Sequence, residues 1–279
     1  MSDFVPHHAF VSAPGAQPER WALFLHGIFG SGGNWRTLAR QWVARRPEWG
    51  AVLVDLRMHG QSQAAPPPHT LFSAVQDLIA LEEKLLAEGK AVRGVIGHSF
   101  GGKVALIYPR DLDRVWILDC DPGAQPLRAA RERPSTVAVL DSLEAMPRDF
   151  ESRDGVIAAL TTRGHDSVLA QWLAMNWVRA GESYKLRLDL TAVRALLTDY
   201  YDSDCWRAVN LLVGAGPVIW PKVDPAALRF IVGGRSTAVP ASSIERLRSL
   251  GANVQVIPDA GHWLHVDAPE ALLALLSAD

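Results

Sequence analysis

Short apolar runs alternate along the chain with segments whose apolar residues recur at helical spacing. The runs have the length of strands and are mostly continuous, which is typical of parallel strands covered on both faces. They are Trp21–Leu25, Ala51–Asp55, Val92–Ile96, Val115–Leu118, Phe230–Val232 and Val254–Ile257. Strands that alternate with helices in this way predict an α/β fold with a mostly parallel, doubly wound sheet and right-handed crossovers.

Helices are predicted between and after these strands, at Trp35–Arg45, Thr70–Leu86, Gly102–Tyr108, Ser242–Leu250 and Pro269–Leu276. Thr70 is placed to cap the second helix, because a hydroxyl there can accept a hydrogen bond from the first turn. We expect Asp267 to cap the last helix, with Pro269 in its first turn.

The alternation stops in the middle of the chain, where helical segments dominate at Val156–Thr162, Ser167–Ala180 and Ala192–Tyr201. We therefore predict an α/β core of residues 1–122 and 210–279, with a helical cap of residues 123–209 inserted after the strand that ends at Asp119. Ligands bind beyond the carboxyl ends of the strands in open α/β sheets, so the cap is expected to cover the site. Phe29 from the core and Trp177 from the cap are the predicted pocket residues.

The composition narrows the functional classes. The chain has 279 residues, of which 48% are hydrophobic and 21% charged, as expected for a globular protein with a large core. Its formal charge of −2 gives no electrostatic basis for binding nucleic acid or an anionic membrane. No apolar run has the length of a membrane span, and the first residues do not resemble a secretory signal, so we expect a cytoplasmic protein. Cys120 and Cys205 lack metal-ligand spacing, which predicts two free thiols and no metal site.

The segment Gly97–Gly101, Gly-His-Ser-Phe-Gly, lies between a predicted strand and a predicted helix. In that context G-x-S-x-G indicates a nucleophile elbow, a sharp turn that exposes a serine hydroxyl at the edge of the sheet. Glycine flanks the serine because a Cβ there would collide with the neighbouring strand or helix. Ser99 is therefore the candidate nucleophile.

A serine hydroxyl needs a base to attack at neutral pH, commonly a histidine that a carboxylate orients. His262 follows the last predicted strand and a turn, which places it at the same edge of the sheet as Ser99. We favour it over His265, which lies closer to the last helix. The other histidines near the predicted site are interpreted as hydrogen-bonding or packing residues: His26, His59 and His98.

The acid is indicated less directly. A common position on such folds follows the strand before the histidine strand, but residues 233–240 contain no acid and Ser236 stands there. Asp119 ends another strand, and neighbouring strands are about 4.8 Å apart, so its carboxylate can reach the same imidazole. Asp121 is the alternative, because strand alternation points it to the same side.

An oxyanion hole needs two N–H groups aimed at the charge that develops on the carbonyl oxygen. Phe100, directly after the candidate nucleophile and at a helix N-terminus, is expected to supply one. The glycine-rich loop of residues 26–35 is expected to supply the other from Ile28 or, as second choice, Phe29. This loop has neither of the glycine patterns of nucleotide sites, so we expect no nucleotide cofactor.

With these residues in place, the chain resembles the α/β-hydrolase family over essentially its whole length. The motifs that carry the resemblance occur in the family's order: Leu23–Gly27, Asp55–Ser62, the Ser99 elbow and Gly261–Trp263. It is most similar to a bacterial esterase and thioesterase subgroup whose elbow continues as Gly-His-Ser-x-Gly-Gly-Lys, matched here by Gly97–Lys103. The resemblance implies the α/β-hydrolase fold, an acid after the strand that follows the elbow helix, as at Asp119, and activity on short- to medium-chain acyl esters or thioesters.

We therefore predict a cofactor-free serine hydrolase of acyl esters that uses Ser99, His262 and Asp119 and is a monomer or a homodimer. C–C bond hydrolysis or perhydrolysis on the same residues is an alternative, and so is a small-molecule receptor with little turnover. Dehalogenation and epoxide opening are disfavoured, because on this fold they need a carboxylate where Ser99 stands.

Overall fold

The computed structural model describes residues 4–108, 110–125, 136–214 and 227–278. Its strands are β1 His8–Val11, β2 Arg20–Leu25, β3 Trp49–Val54, β4 Val92–His98, β5 Arg114–Leu118, β6 Asp149–Phe150, β7 Trp177–Ala180, β8 Ser183–Leu186, β9 Leu228–Gly233 and β10 Asn253–Ile257. Seven of them form the main sheet in the order β1-β3-β2-β4-β5-β9-β10. Only β1 is antiparallel to its neighbour in this sheet. All six strands expected from apolar runs are confirmed, together with the mostly parallel α/β class.

The described helices are α1 Arg36–Arg45, α2 Leu71–Ala87, α3 Phe100–Ile107, α4 Thr136–Glu144, α5 Arg153–Thr162, α6 Ser167–Ala174, α7 Leu190–Asp202, α8 Trp206–Leu212, α9 Ala241–Ser249, α10 Leu264–Asp267 and α11 Pro269–Ser277. The cap by Thr70 is confirmed, since its hydroxyl accepts from the Ser73 N–H at 3.0 Å. The cap by Asp267 is wrong. Asp267 already ends α10, and its carboxylate accepts from the Gly261 N–H instead. None of the described helices combines the length and the apolar character needed to cross a membrane.

The five central strands of the main sheet are buried on both faces, as their continuous apolar runs predicted, whereas the edge strands β1 and β10 are partly exposed. One face packs against α1 and α11 through a group of aromatic residues: Phe24, Trp35, Trp42, Trp49 and Trp116. The opposite face packs against α2 and α3 through alternate residues of the same strands. Burial on both sides fixes the strands, so the residues just beyond their carboxyl ends have a rigid support.

The chain leaves the main sheet after β5 and returns at β9, the next strand of the sheet. The described part of this excursion, residues 136–214, is called the insert below. It contains α4 to α8 and a second, antiparallel sheet in the order β6-β8-β7. The second sheet corrects the expected helix at Ser167–Ala180, because Gly181 with a φ of 66° turns the chain back and pairs β7 with β8.

The predicted boundaries of the cap, at 122/123 and 209/210, remain predictions. Residues 126–135 of the predicted cap and residues 215–226 of the predicted core lie outside the described residues.

Candidate active site

Ser99 occupies the sharp turn between β4 and α3. Its φ of 52° and ψ of −113° lie in a region that residues other than glycine rarely adopt. A Cβ on Gly97 would lie 2.2 Å from the carbonyl oxygen of Gly101, so this turn requires glycine at position 97. The Ser99 N–H donates to the Leu118 carbonyl at the end of β5, at 3.0 Å. The strained turn therefore holds the serine beyond the carboxyl edge of the sheet.

Asp119 and His262 meet at the same edge. The Nδ1 atom of His262 lies 2.7 Å from Oδ2 of Asp119, across 143 residues of chain. The Asp119 side chain is fully buried, whereas 37% of the His262 side chain is exposed. His262 and Ser99 line one cavity. The structure thus brings together the three residues predicted as nucleophile, base and acid.

The carboxylate of Asp119 accepts two further hydrogen bonds. The Gly233 N–H donates to Oδ1 at 2.9 Å, and the Ser236 hydroxyl donates to Oδ2. Ser236 stands where the sequence suggested an acid, and it supports an acid on the neighbouring strand instead. These hydrogen bonds satisfy both oxygens of the buried carboxylate and fix its orientation towards His262.

Asp121, the alternative acid, has different partners. Its carboxylate accepts from the Gly123 N–H at 3.1 Å and from the Gln125 side-chain amide at 2.8 Å. Within the described residues, Asp119 and not Asp121 is the carboxylate that contacts His262.

Two further histidines surround His262. His98 donates from Nε2 to the His262 carbonyl oxygen at 2.8 Å, and the two rings lie 4.6 Å apart. His265 packs against Trp35 with a ring separation of 4.7 Å. Burial, helped by the nearby His262, holds the pKa of His98 well below its usual range and lowers the pKa of His265 to about 4. Both are therefore neutral at neutral pH and add no positive charge beside His262.

The loop after β2 folds into a turn from Gly27 to Gly30, the oxyanion turn below. The Gly30 N–H donates to the Gly27 carbonyl at 3.0 Å, and Nδ1 of His26 donates to the same oxygen at 2.7 Å. A Cβ on Gly27 would lie 3.4 Å from the Cβ of Ser99, so the turn passes directly beside the candidate nucleophile.

The hydrogen bonds of the oxyanion turn distinguish between its two candidate donors. The Phe29 N–H donates to Nε2 of His59 at 3.0 Å and is already used. The Ile28 N–H has no hydrogen-bond partner among the described residues. The Phe100 N–H opens α3, where no earlier turn can accept it. Within the described part of the chain, Ile28 and Phe100 thus keep the free N–H groups that an oxyanion hole needs.

The site opens into a cavity of about 1030 Å³ that the core and the insert both line. Its apolar walls include Ile28, Phe29, Val139, Leu169, Trp172, Tyr200, Trp206 and Trp263. The prediction that Trp177 lines the pocket is wrong. Its ring is fully buried inside the insert, edge-on to Phe150 at 6.0 Å, because β7 turns it away from the site.

A model of the Alpha/beta hydrolase family matches residues 22–275. The chain belongs to the α/β-hydrolase family.

Relatives of this α/β-hydrolase are named as a lipase, an esterase and a synthase. It is 29% identical over 255 residues to the sn-1-specific diacylglycerol lipase ABHD11 of Mus musculus. That match covers 89% of this chain and 76% of the relative. It is 28% identical over 261 residues to esterase YbfF of Escherichia coli (strain K12), covering 90% and 89% of the two chains. It is 27% identical to a 2-succinyl-6-hydroxy-2,4-cyclohexadiene-1-carboxylate synthase of Serratia proteamaculans (strain 568), covering 92% and 91%.

The fold of the α/β-hydrolase is also found in solved structures. A marine microorganism esterase superposes with a TM-score of 0.76 at 19% identity, and the match covers 98% of each chain. At that identity the likeness shows the fold alone.

Sequence reasoning missed two contacts from the insert. The side-chain amide of Asn176, between α6 and β7, donates to the Phe29 carbonyl oxygen at 2.9 Å. Trp172 on α6 packs against Trp263, next to His262, with ring centroids 5.4 Å apart. No local motif marks Asn176, which lay inside a predicted helix. The position of Trp263, directly after the candidate base, was the one available signal for the second contact.

Proposed function

We propose that the protein is a serine carboxylic ester hydrolase that works through an acyl-enzyme on Ser99. The observation that carries the proposal is the 2.7 Å contact between Asp119 and His262 at the sheet edge where the strained elbow presents Ser99. A nucleophile, a base and an acid placed in this way are the requirements for acyl transfer.

In the first half of the reaction, the Ser99 hydroxyl attacks the ester carbonyl carbon and His262 takes its proton through Nε2. Asp119 keeps the proton of the neutral imidazole on Nδ1 and stabilises the imidazolium that forms. The N–H groups of Ile28 and Phe100 bind the negative oxygen of the tetrahedral intermediate. The intermediate collapses when His262 returns the proton to the leaving alcohol, and the acyl group stays on Ser99.

In the second half, water attacks the acyl-enzyme and His262 acts as the base again. The tetrahedral oxyanion forms at the same two N–H groups. The carboxylic acid then leaves, and the Ser99 hydroxyl is restored.

The cavity supports an apolar acyl group of short to medium length, with thioesters as a second substrate class. Aromatic and aliphatic side chains line one part of the cavity, and polar or charged side chains such as Arg163, Asp166 and Arg235 line another. Its size is at the upper end of the roughly 300–1,000 Å³ of small-molecule pockets. The insert supplies part of these walls and would act as a cap over the bound substrate. Cytoplasmic localisation and a monomeric or homodimeric state remain predictions from the sequence.

A second candidate is lysis or hydrolysis of a C–C bond on the same residues. The relative named as a cyclohexadiene-carboxylate synthase matches nine-tenths of both chains, so chains this similar are not all named as esterases or lipases, and this candidate is kept. Ester hydrolysis is preferred because two of the three relatives described above are named as a lipase and an esterase.

Hydrolysis of a p-nitrophenyl ester series from acetate to palmitate, by wild type and by Ser99→Ala, tests the proposal. We expect a chain-length optimum in the wild type and a loss of kcat in Ser99→Ala of about 10⁴-fold or more, because the covalent step is gone. Ser249→Ala, at the exposed end of α9, is the matched control and should keep full activity.

Labelling of the wild type with a fluorophosphonate separates the two candidates. Labelling at Ser99 without hydrolysis of any ester would favour the C–C substrate. Undiminished ester hydrolysis by Ser99→Ala would refute the mechanism.

A further inference from the structure

Phe29 in the oxyanion turn is held from two sides. Its N–H donates to His59 of the core at 3.0 Å, and its carbonyl oxygen accepts from Asn176 of the insert at 2.9 Å. Its φ of 63° is a left-handed conformation that a residue with a bulky side chain adopts only when its surroundings require it. The two hydrogen bonds supply that requirement.

The Phe29 carbonyl group is linked to the direction of the Ile28 N–H through the hydrogen bond that closes the oxyanion turn. The turn closes through the bond from the Gly30 N–H to the Gly27 oxygen, and that N–H shares one planar peptide with the Phe29 carbonyl that Asn176 holds. The Gly27 oxygen and the Ile28 N–H lie on opposite sides of one planar peptide. Without the Asn176 donor, the Phe29–Gly30 peptide is free to rotate and the Gly30 N–H can leave the Gly27 oxygen. His26 alone would then hold the peptide that carries the Ile28 N–H, so the direction of that N–H would be less firmly fixed.

Asn176 itself is firmly placed. Its side chain is buried. Its backbone N–H donates to the Leu173 carbonyl at 3.0 Å, and its backbone carbonyl accepts from the Arg187 N–H at 2.9 Å. The preceding helix α6 carries Trp172, which packs on Trp263 beside His262. This part of the insert therefore touches both the oxyanion turn and the loop of the candidate base.

We propose that Asn176 is a positioning residue through which the insert holds the oxyanion turn in its active form. Through this one contact, the insert acts on the chemical step as well as lining the cavity. The inference rests on the proposed ester hydrolase function, because it assigns the Ile28 N–H to the oxyanion.

Asn176→Ala and Asn176→Asp test the inference through steady-state kinetics. Removal of one oxyanion donor lowers kcat by about 10²–10³-fold, so a donor that has only become mobile is expected to lower kcat by about tenfold. KM should change little, because the oxyanion forms after the substrate has bound. Asn176→Asp keeps the size of the side chain but replaces the N–H donor by a carboxylate oxygen that repels the Phe29 carbonyl oxygen. It should therefore lower kcat at least as far as Asn176→Ala, whereas a packing defect alone would spare it.

Asp199→Ala is the matched control. The Asp199 carboxylate accepts from the Leu71 N–H at 2.7 Å and so links the insert to the core without contact to the oxyanion turn. Its kcat should stay at the wild-type value. An equal loss of kcat in Asp199→Ala and Asn176→Ala would assign the effect to a loosened insert and overturn the specific role of Asn176.

Hydrogen exchange of the backbone amides of residues 27–32 provides a readout that does not depend on catalysis. Exchange should be faster in both Asn176 variants than in wild type and Asp199→Ala. If exchange in the Asn176 variants equals that of the wild type, the inference is overturned, even where the wild type hydrolyses no ester. If the wild type is active, an unchanged kcat in these variants also overturns the inference. Absence of ester hydrolysis by the wild type, with faster exchange in the variants, rejects the proposed function and retains the hold of Asn176 on the turn.

Discussion

At the scale of single residues, backbone strain is concentrated around the site. Phe29, Ser99 and Asp119 have positive φ angles, and so does Met58, next to the His59 that holds Phe29. Left-handed conformation costs about 1–2 kcal/mol for each residue other than glycine. Hydrogen bonds to Phe29, Ser99 and Asp119 offset this cost. Because these three strained residues are all proposed site residues, the strain is linked to function.

The tautomer of His262 can be tested at Asp119. In Asp119→Asn the new amide would donate to Nδ1 of His262, which moves the imidazole proton to Nε2 and prevents it from accepting the Ser99 proton. We expect kcat to fall by about 10⁴-fold, measured with the preferred p-nitrophenyl ester. Asp121→Asn, which changes a carboxylate without contact to His262, should have a much smaller effect. Similar losses in both variants would contradict the assignment of Asp119.

At the scale of secondary-structure elements, α3 joins the elbow to the insert through a buried lysine. Lys103 donates to the carbonyl oxygens of Gly123, Tyr200 and Ser203 at 2.7–2.8 Å, and its ammonium lies 4.5 Å from the centre of the Tyr200 ring. All three protons of the ammonium group are thus used. The helix that begins at the elbow is thereby fixed to α7 and to the segment after it.

Lys103→Met should destabilise the protein by about 3 kcal/mol, because it removes the donor and leaves three carbonyl groups without it. The measurement is the free energy of unfolding in urea. Lys84→Met, on the exposed side of α2, is the control and should change stability by less than about 0.5 kcal/mol. If Lys103→Met proves as stable as the wild type, then the lysine is not needed to join α3 to the insert.

At the scale of the whole molecule, folding buries histidines in neutral form. Burial, with a smaller effect of the neighbouring His26, lowers the pKa of His59 to about 3. The unfolded chain binds a proton at this position below pH 6.5 or so, whereas the folded protein does not. Stability from this residue is therefore complete above that pH and decreases as the pH falls towards 3.

The pH dependence of stability can be measured by urea unfolding between pH 7 and pH 4. His59 should account for about 1.4 kcal/mol per pH unit of the decrease in the free energy of unfolding. His59→Gln keeps an acceptor in the side chain but does not titrate, so its stability should decline less steeply by that amount. A slope equal to that of the wild type would show that His59 is protonated in the folded protein.

The sequence by itself determined the elements whose signals are local. Six strands follow from apolar runs of three to five residues, and the elbow follows from one pentapeptide between a strand and a helix. The carboxyl edge of the sheet then placed His262 near Ser99. The glycine-rich loop also predicts a donor at Ile28 or, as second choice, at Phe29, because only a few of its residues can pass beside a nucleophile.

Tertiary structure decided what depends on contacts between distant segments. It paired His262 with Asp119 rather than Asp121, turned Trp177 into the interior of the insert, and brought Asn176 to Phe29 across 147 residues of chain. Hydrophobic periodicity reports whether a residue is buried, but it does not say which partner buries it. The partner depends on how β5 and β9 come to lie side by side and how the insert folds back over them, and only the packed molecule determines that arrangement.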